Sequence, residues 1–129
     1  MHTEILFIYG TLLHGESNHH IIEPYIVDST PGSIQGRLFS IDDEYPAAIL
    51  ELHHGYVIEG EWVTIRAECM PYIDELEDYE PNGEHNLYER VHITDLDNGS
   101  SGWIYIMTAL PPYAPEIHSG SWREYRRGL

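Results

Sequence analysis

The sequence predicts an α+β protein with a small closed or strongly curled β-sheet and one or two short helices, formed as one domain over residues 1–129. Three observations carry this reading. Six runs of β-branched, aromatic and other apolar residues recur along the chain, each bounded by Gly, Pro, Asp or Asn. One clear helical stretch, beginning at Pro71, interrupts them. The length of 129 residues suffices for one hydrophobic core and not two, and 42% hydrophobic with 12% aromatic residues excludes a disordered chain.

The elements follow in order. Residues 5–9 form a short apolar run stopped by Gly10, the pattern of a buried strand. Residues 17–23 suit a short helix with Ser17 as N-cap and Pro24 as its stop. Residues 33–41, 47–52 and 56–65 read as strands. Pro71 fits a first helical turn, and Tyr72 to Tyr79 continue it. Residues 88–96 and 103–108 form a hairpin over Asn98-Gly99, and Asn82-Gly83 is a second turn signal. Residues 119–129 carry Trp122 and three Arg, and are expected to pack back on the body as an irregular tail. No composition break marks a linker, and no segment repeats.

Charge narrows the partners. There are 22 acidic residues against six basic ones, all Arg, and the formal net charge is −16. Such a body repels phosphate backbones and anionic bilayers, so neither nucleic acid nor membrane is an expected partner. The lone Cys69 excludes an internal disulfide and a Cys-rich metal cluster, which suits a reducing compartment. The N-terminal apolar run is short and has an acid where a signal peptide has basic residues, and no stretch approaches the ~20 apolar residues of a membrane span. A soluble cytoplasmic domain is the expectation; oligomeric state is left open. Among the nine His, the densest groups are His19-His20 with Glu23, and His53-His54. Adjacent His side chains diverge on helix and strand alike, and no His-Glu-x-x-His spacing exists, so no metal is expected.

Two segments could carry chemistry. In the first, Tyr9 ends the buried strand and Gly10-Thr11-Leu12 begins polar backbone, where successive free amides can make a nest for a carboxylate or an oxyanion. In the second, helical spacing gathers Cys69, Ile73 and Leu76 into an apolar stripe. Glu77 borders that stripe on one side and Glu75 on the other, while Asp74 and Asp78 face solvent. A carboxylate against an apolar wall is pushed toward a general-base range. Periodicity does not choose between Glu75 and Glu77. Cys69 reads as a core residue, and Ser17, Ser119 and Ser121 lie in loops without a nucleophile elbow.

Together these segments resemble the γ-glutamylcyclotransferase-like superfamily. Phe7-Ile8-Tyr9-Gly10-Thr11-Leu12 resembles its Tyr-Gly-Ser/Thr-Leu signature, followed by Gly15 and Asn18-His19. Gly36-Arg37-Leu38-Phe39, Tyr45-Pro46-Ala47 and Val57-Ile58-Glu59-Gly60-Glu61 are similar to the next landmarks. Ile73-Asp74-Glu75-Leu76-Glu77-Asp78 resembles the Leu-Asp-x-x-Glu-Gly/Asp helix end, and Tyr88-Glu89-Arg90 resembles Tyr-x-Arg. Gly102-Trp103-Ile104-Tyr105 and Ser119-Gly120-Ser121-Trp122-Arg123 close the series. Each motif alone is unspecific; their order is the signal.

The resemblance, to the γ-glutamylamine cyclotransferase and AIG2-like bacterial branch, implies a mixed β-barrel with a cavity at one end. It implies Glu77 as the general acid/base, with Tyr9, Gly10, Thr11, Leu12 and Tyr88 around the substrate. The implied reaction closes a γ-glutamyl compound to 5-oxoproline and frees its amine, without a cofactor or metal, on a small-molecule γ-glutamyl substrate. A non-catalytic module binding a metabolite or a protein on the same fold is the alternative. Three features depart from the pattern or vary it: Asp78 where many members have Gly, Ser121 where Asp is expected before Trp122, and a long polar spacer at residues 80–87 that bears on substrate choice.

Overall fold

The computed structural model describes residues 2–50, 56–80, 83 and 88–128. Its seven strands are β1 (Thr3–Ile8), β2 (Ile26–Gln35), β3 (Arg37–Ile41), β4 (Tyr45–Ile49), β5 (Val57–Arg66), β6 (Tyr88–Thr94) and β7 (Ser101–Met107). Three short helices join them: α1 (His19–Ile22), α2 (Met70–Leu76) and α3 (Trp122–Arg127), with 3-10 turns at Glu23–Tyr25 and Ala67–Cys69. Among the described residues no helix is long and apolar enough to cross a membrane.

The main sheet runs β2-β5-β1-β7-β6. It is mixed: β1 is antiparallel to β5, with Thr3 opposite Arg66 and Ile8 opposite Glu61, and parallel to β7 where Leu6 faces Trp103. β3 and β4 form a separate antiparallel hairpin. The expected α+β class holds, but the closed barrel is not seen: β2 and β6 are the two ends of the strand order, and no pairing joins them among the described residues.

Central β1 shows why its sequence is a continuous apolar run. Leu6 and Ile8 enter one core with Ile22 of α1 and Ile73 of α2. Phe7 and Tyr9 enter the other with Leu38, Ala48 and Trp122. Both faces of the strand are covered, so alternation disappears, and the apolar residues divide into two clusters where the length suggested one core.

Several boundaries differ from expectation. The run 33–41 is divided at Gly36, whose amide bonds the Tyr56 carbonyl at 3.0 Å as the chain leaves the main sheet for the hairpin. A Cβ at Gly36 would meet the Ile49 carbonyl and the Ile58 side chain. Asn18, not Ser17, is the N-cap of α1, and Pro24 lies inside the following 3-10 turn, where its missing amide costs nothing. The tail is not irregular but carries α3. There the Ser121 hydroxyl accepts the Glu124 amide at 3.2 Å, so the residue that departs from the motif is a helix cap. Asn82 of the second turn signal, His53-His54, the end of run 47–52 and most of spacer 80–87 lie outside the described residues.

Candidate active site

A cavity of about 380 Å³ opens where β1 ends. The turn after β1 supplies one wall. The Leu13 amide bonds the Gly10 carbonyl at 3.1 Å, which leaves the Thr11 and Leu12 amides outside this turn bond. Asn18 fastens the loop: its amide bonds the Thr11 carbonyl at 2.8 Å, and its Nδ2 donates to Thr11 Oγ1 at 3.0 Å. His19 Nδ1 lies 2.8 Å from the Leu12 carbonyl. Gly10 does not have a positive φ. It is needed for space, since a Cβ there would run into the Pro46 ring.

The opposite wall is the end of α2, built as a Schellman motif. The Glu77 amide bonds the Ile73 carbonyl at 2.9 Å, Asp78 that of Glu75 at 3.2 Å, and Tyr79 that of Asp74 at 2.8 Å. Asp78 takes the left-handed position at φ 51°, which favours glycine and tolerates Asp. Such a position accepts either of the two residues, Gly or Asp, that the resemblance allows there. It also fixes Glu77 as the C-cap of the helix, with its side chain among the cavity-lining residues.

Burial pushes the Glu77 carboxyl up to about 7. Three phenols stand within its electrostatic reach: Tyr9, Tyr45 and Tyr88. Tyr9 Oη donates to the Tyr105 carbonyl at 2.5 Å, and Tyr88 Oη donates to the Pro46 carbonyl at 2.9 Å. Burial, reinforced by negative neighbours, raises both phenols well above the ordinary tyrosine range, so they stay neutral.

All six expected site residues, Tyr9, Gly10, Thr11, Leu12, Glu77 and Tyr88, line this one cavity. Glu75 is exposed and borders a separate groove with Tyr25 and Tyr72. Geometry therefore separates the two acids that periodicity left equal. Asp74 corrects the helical-wheel reading: it is not solvated, but accepts Arg90 Nη1 at 3.1 Å and the Tyr105 hydroxyl. Cys69 is buried, and burial lifts its thiol to about 11, so it is no nucleophile at neutral pH.

The site also contains Asn18, Glu44, Tyr45, Pro46 and Tyr105, which sequence reasoning did not assign to it. Asn18, Tyr45-Pro46 and Tyr105 stand in the recognised motifs, and that was the available signal. Among the described residues no group of three His, Cys, Asp or Glu side chains is placed to hold a metal. His19 instead anchors the loop and lies 3.5 Å from Glu23.

Mixed sheet, Tyr-Gly-Thr-Leu turn and capped acidic helix end together define a class, and comparison identifies it. Residues 6–124 match the family model "Gamma-glutamyl cyclotransferase, AIG2-like", and the chain belongs to that family. It is 34% identical over 124 residues to the gamma-L-glutamyl-butirosin B gamma-glutamyl cyclotransferase of Niallia circulans, covering 94% of this chain and 76% of that one. Among solved structures it resembles a protein specific to uropathogenic E. coli, with TM-score 0.77 at 24% identity and coverage of 100% and 99%. An AIG2-like protein of Mus musculus is also similar, with TM-score 0.71 at 18% identity and coverage of 92% and 88%.

Proposed function

We propose that this protein is a γ-glutamyl cyclotransferase that releases 5-oxoproline and a free amine from a small γ-glutamyl amine or amide. The observation that carries the reading is the Glu77 carboxyl, raised to about 7 and lining the same cavity as the Gly10 to Leu12 turn.

The reaction is an intramolecular aminolysis. Glu77 takes a proton from the substrate's α-ammonium, and the freed amine attacks the γ-carbonyl carbon. The new C–N bond closes a five-membered lactam. The old C–N bond breaks as Glu77 returns a proton to the departing nitrogen. A second proton lost from the ring nitrogen balances the one that makes the released amine an ammonium. Nucleophile and electrophile share one molecule, so the balance needs no water and no co-reactant. A base near pH 7 suits both directions of transfer, and such a group contributes typically ~10²–10⁴ in rate. Amides of the Gly10 to Leu12 turn would meet the tetrahedral oxyanion, and a cavity of this size would hold the γ-glutamyl chain folded.

The test is a panel of γ-glutamyl amines, γ-glutamyl amino acids and γ-glutamyl-capped amines, with products read by mass spectrometry. At least one member should yield 5-oxoproline. Glu77→Gln should still bind that substrate and lose at least ~10²-fold in turnover, whereas Glu75→Gln should behave as wild type. Binding without 5-oxoproline from any member would favour a non-catalytic module.

A further inference from the structure

The proposed reaction needs Glu77 at one place against the cavity wall, and Glu77 stands at the C-terminal end of a seven-residue helix. A helix this short has little rigidity of its own. One residue ties that end to the rest of the site by both its backbone and its side chain. The Asp74 carbonyl accepts the Tyr79 amide at 2.8 Å, closing the Schellman motif around Glu77. The Asp74 carboxylate, three residues before Glu77, takes Arg90 Nη1 at 3.1 Å on both oxygens and the Tyr105 hydroxyl on Oδ1. Arg90 and Tyr105 come from β6 and β7.

Both partners bear on the cavity. Arg90 lies two residues beyond the cavity residue Tyr88 on β6, and its guanidinium sits 5.2 Å from the Tyr79 ring centroid and 5.3 Å from that of Trp103. Tyr79 follows Asp78 directly, so Arg90 grips the chain on both sides of Glu77. Tyr105 lines the cavity, and its carbonyl holds the Tyr9 hydroxyl. The ion pair is largely shielded, with side-chain exposures of 20% for Arg90 and 13% for Asp74. A shielded pair of this kind holds its geometry better than an exposed one.

We propose that Asp74, with Arg90 and Tyr105, is a positioning assembly that fixes the Glu77 carboxylate against the walls bearing Tyr9 and Tyr88. It touches no reacting atom and acts through Glu77. This rests on the reading of Glu77 as the acid/base, and it adds Asp74, which helical periodicity assigned to solvent, with two partners from the sheet.

A double-mutant cycle tests it on the full chain with the best substrate of the panel. Asp74→Asn should lower kcat about 10- to 100-fold with KM changed less than about threefold, because small misplacements of an acid/base group cost this much. In the Glu77→Gln background the same change should cost nothing further. Arg90→Lys should recover most of the rate that Arg90→Met loses. Tyr105→Phe, which removes only the hydroxyl, serves as a second probe should Asp74→Asn fold poorly, as judged by thermal unfolding. Losses that multiply across the cycle, or a raised KM with unchanged kcat, would overturn the positioning role. An active Glu77→Gln would instead overturn the reaction assigned to this site, so the two failures are distinguishable.

Discussion

In its proposed role Glu77 combines two demands that oppose each other, reactivity and stability. Its carboxyl is raised from 4.5 to about 7 by burial, so between these values the folded protein binds more protons than the unfolded chain. The sign follows from linkage. Stability from the protonated form is complete below the unfolded value and is lost as pH rises through about 7. The full shift corresponds to about 3 kcal/mol, and partial solvent access reduces it to ~1–3 kcal/mol. Glu77→Gln removes the charge that must be desolvated. The variant should therefore be more stable than wild type near pH 8 and equal to it near pH 4.5, as measured by urea unfolding at both pH values. Equal destabilisation at both would mean that the carboxylate makes hydrogen bonds that the burial argument omits. This conflict is also what a helical wheel can detect: an acid next to Ile73 was legible as unusual. What it could not do was separate Glu77 from Glu75, because that depends on the Schellman turn, where the chain ceases to be helical.

At the scale of elements, partners distant in sequence decide what local patterns leave open. The Asn98-Gly99 hairpin was legible because turn chemistry is local, and Gly99 indeed stands at φ 77°. What holds that hairpin loop against β2 and β5 was not. Burial alone would raise the Asp95 carboxyl, but the Asn98 and Asp97 amides, the Trp62 indole and the Ser33 amide together hold it down to about 2. A group lowered in this way adds stability above its unfolded value, and that stability is lost as pH falls through about 2. Asp95→Asn should cost ~2–3 kcal/mol at neutral pH, with the gap narrowing in acid, in urea titrations followed by tryptophan fluorescence. A variant as stable as wild type at neutral pH would show that the loop is held by other contacts. Asp74 was misread for the same reason. Its partners Arg90 and Tyr105 lie 16 and 31 residues away, beyond any helical period. α3 was missed although Ser121-x-x-Glu124 is a capping pattern, because its apolar face is a single i, i+3 pair, Trp122 and Tyr125, among three Arg and one Glu.

Across the whole molecule, the C-terminal segment joins what the strand order leaves separate. The Ile117 amide bonds the Leu38 carbonyl at 2.7 Å, the Glu59 amide bonds the Gly120 carbonyl at 2.8 Å, and Trp122 is fully buried in the second core. Gly120 is required at this junction: its φ is 70°, and a Cβ would run into the Val57 carbonyl. The expected packing of the tail back on the body is seen where Arg123 donates to the His14 carbonyl at 2.8 Å and Arg126 lies 3.5 Å from Glu16. Both contacts reach the loop that continues from the cavity turn, so the C-terminal helix packs beside the site. Strand content was legible from composition, while sheet closure was not, because alternation reports which faces are buried and says nothing of which edges pair. The site was legible only as an ordered series of motifs. Its convergence, with a turn after β1, a helix end and the first residue of β6 around one cavity, is a property of the fold. The pH dependence of kcat/KM for 5-oxoproline release tests that convergence most directly, because it reports the free enzyme's essential base. The acidic limb should have a slope of one and a midpoint near 7. An acidic limb centred at the ordinary carboxylate value of 4.5, or one left unchanged by Glu77→Gln, would contradict the account.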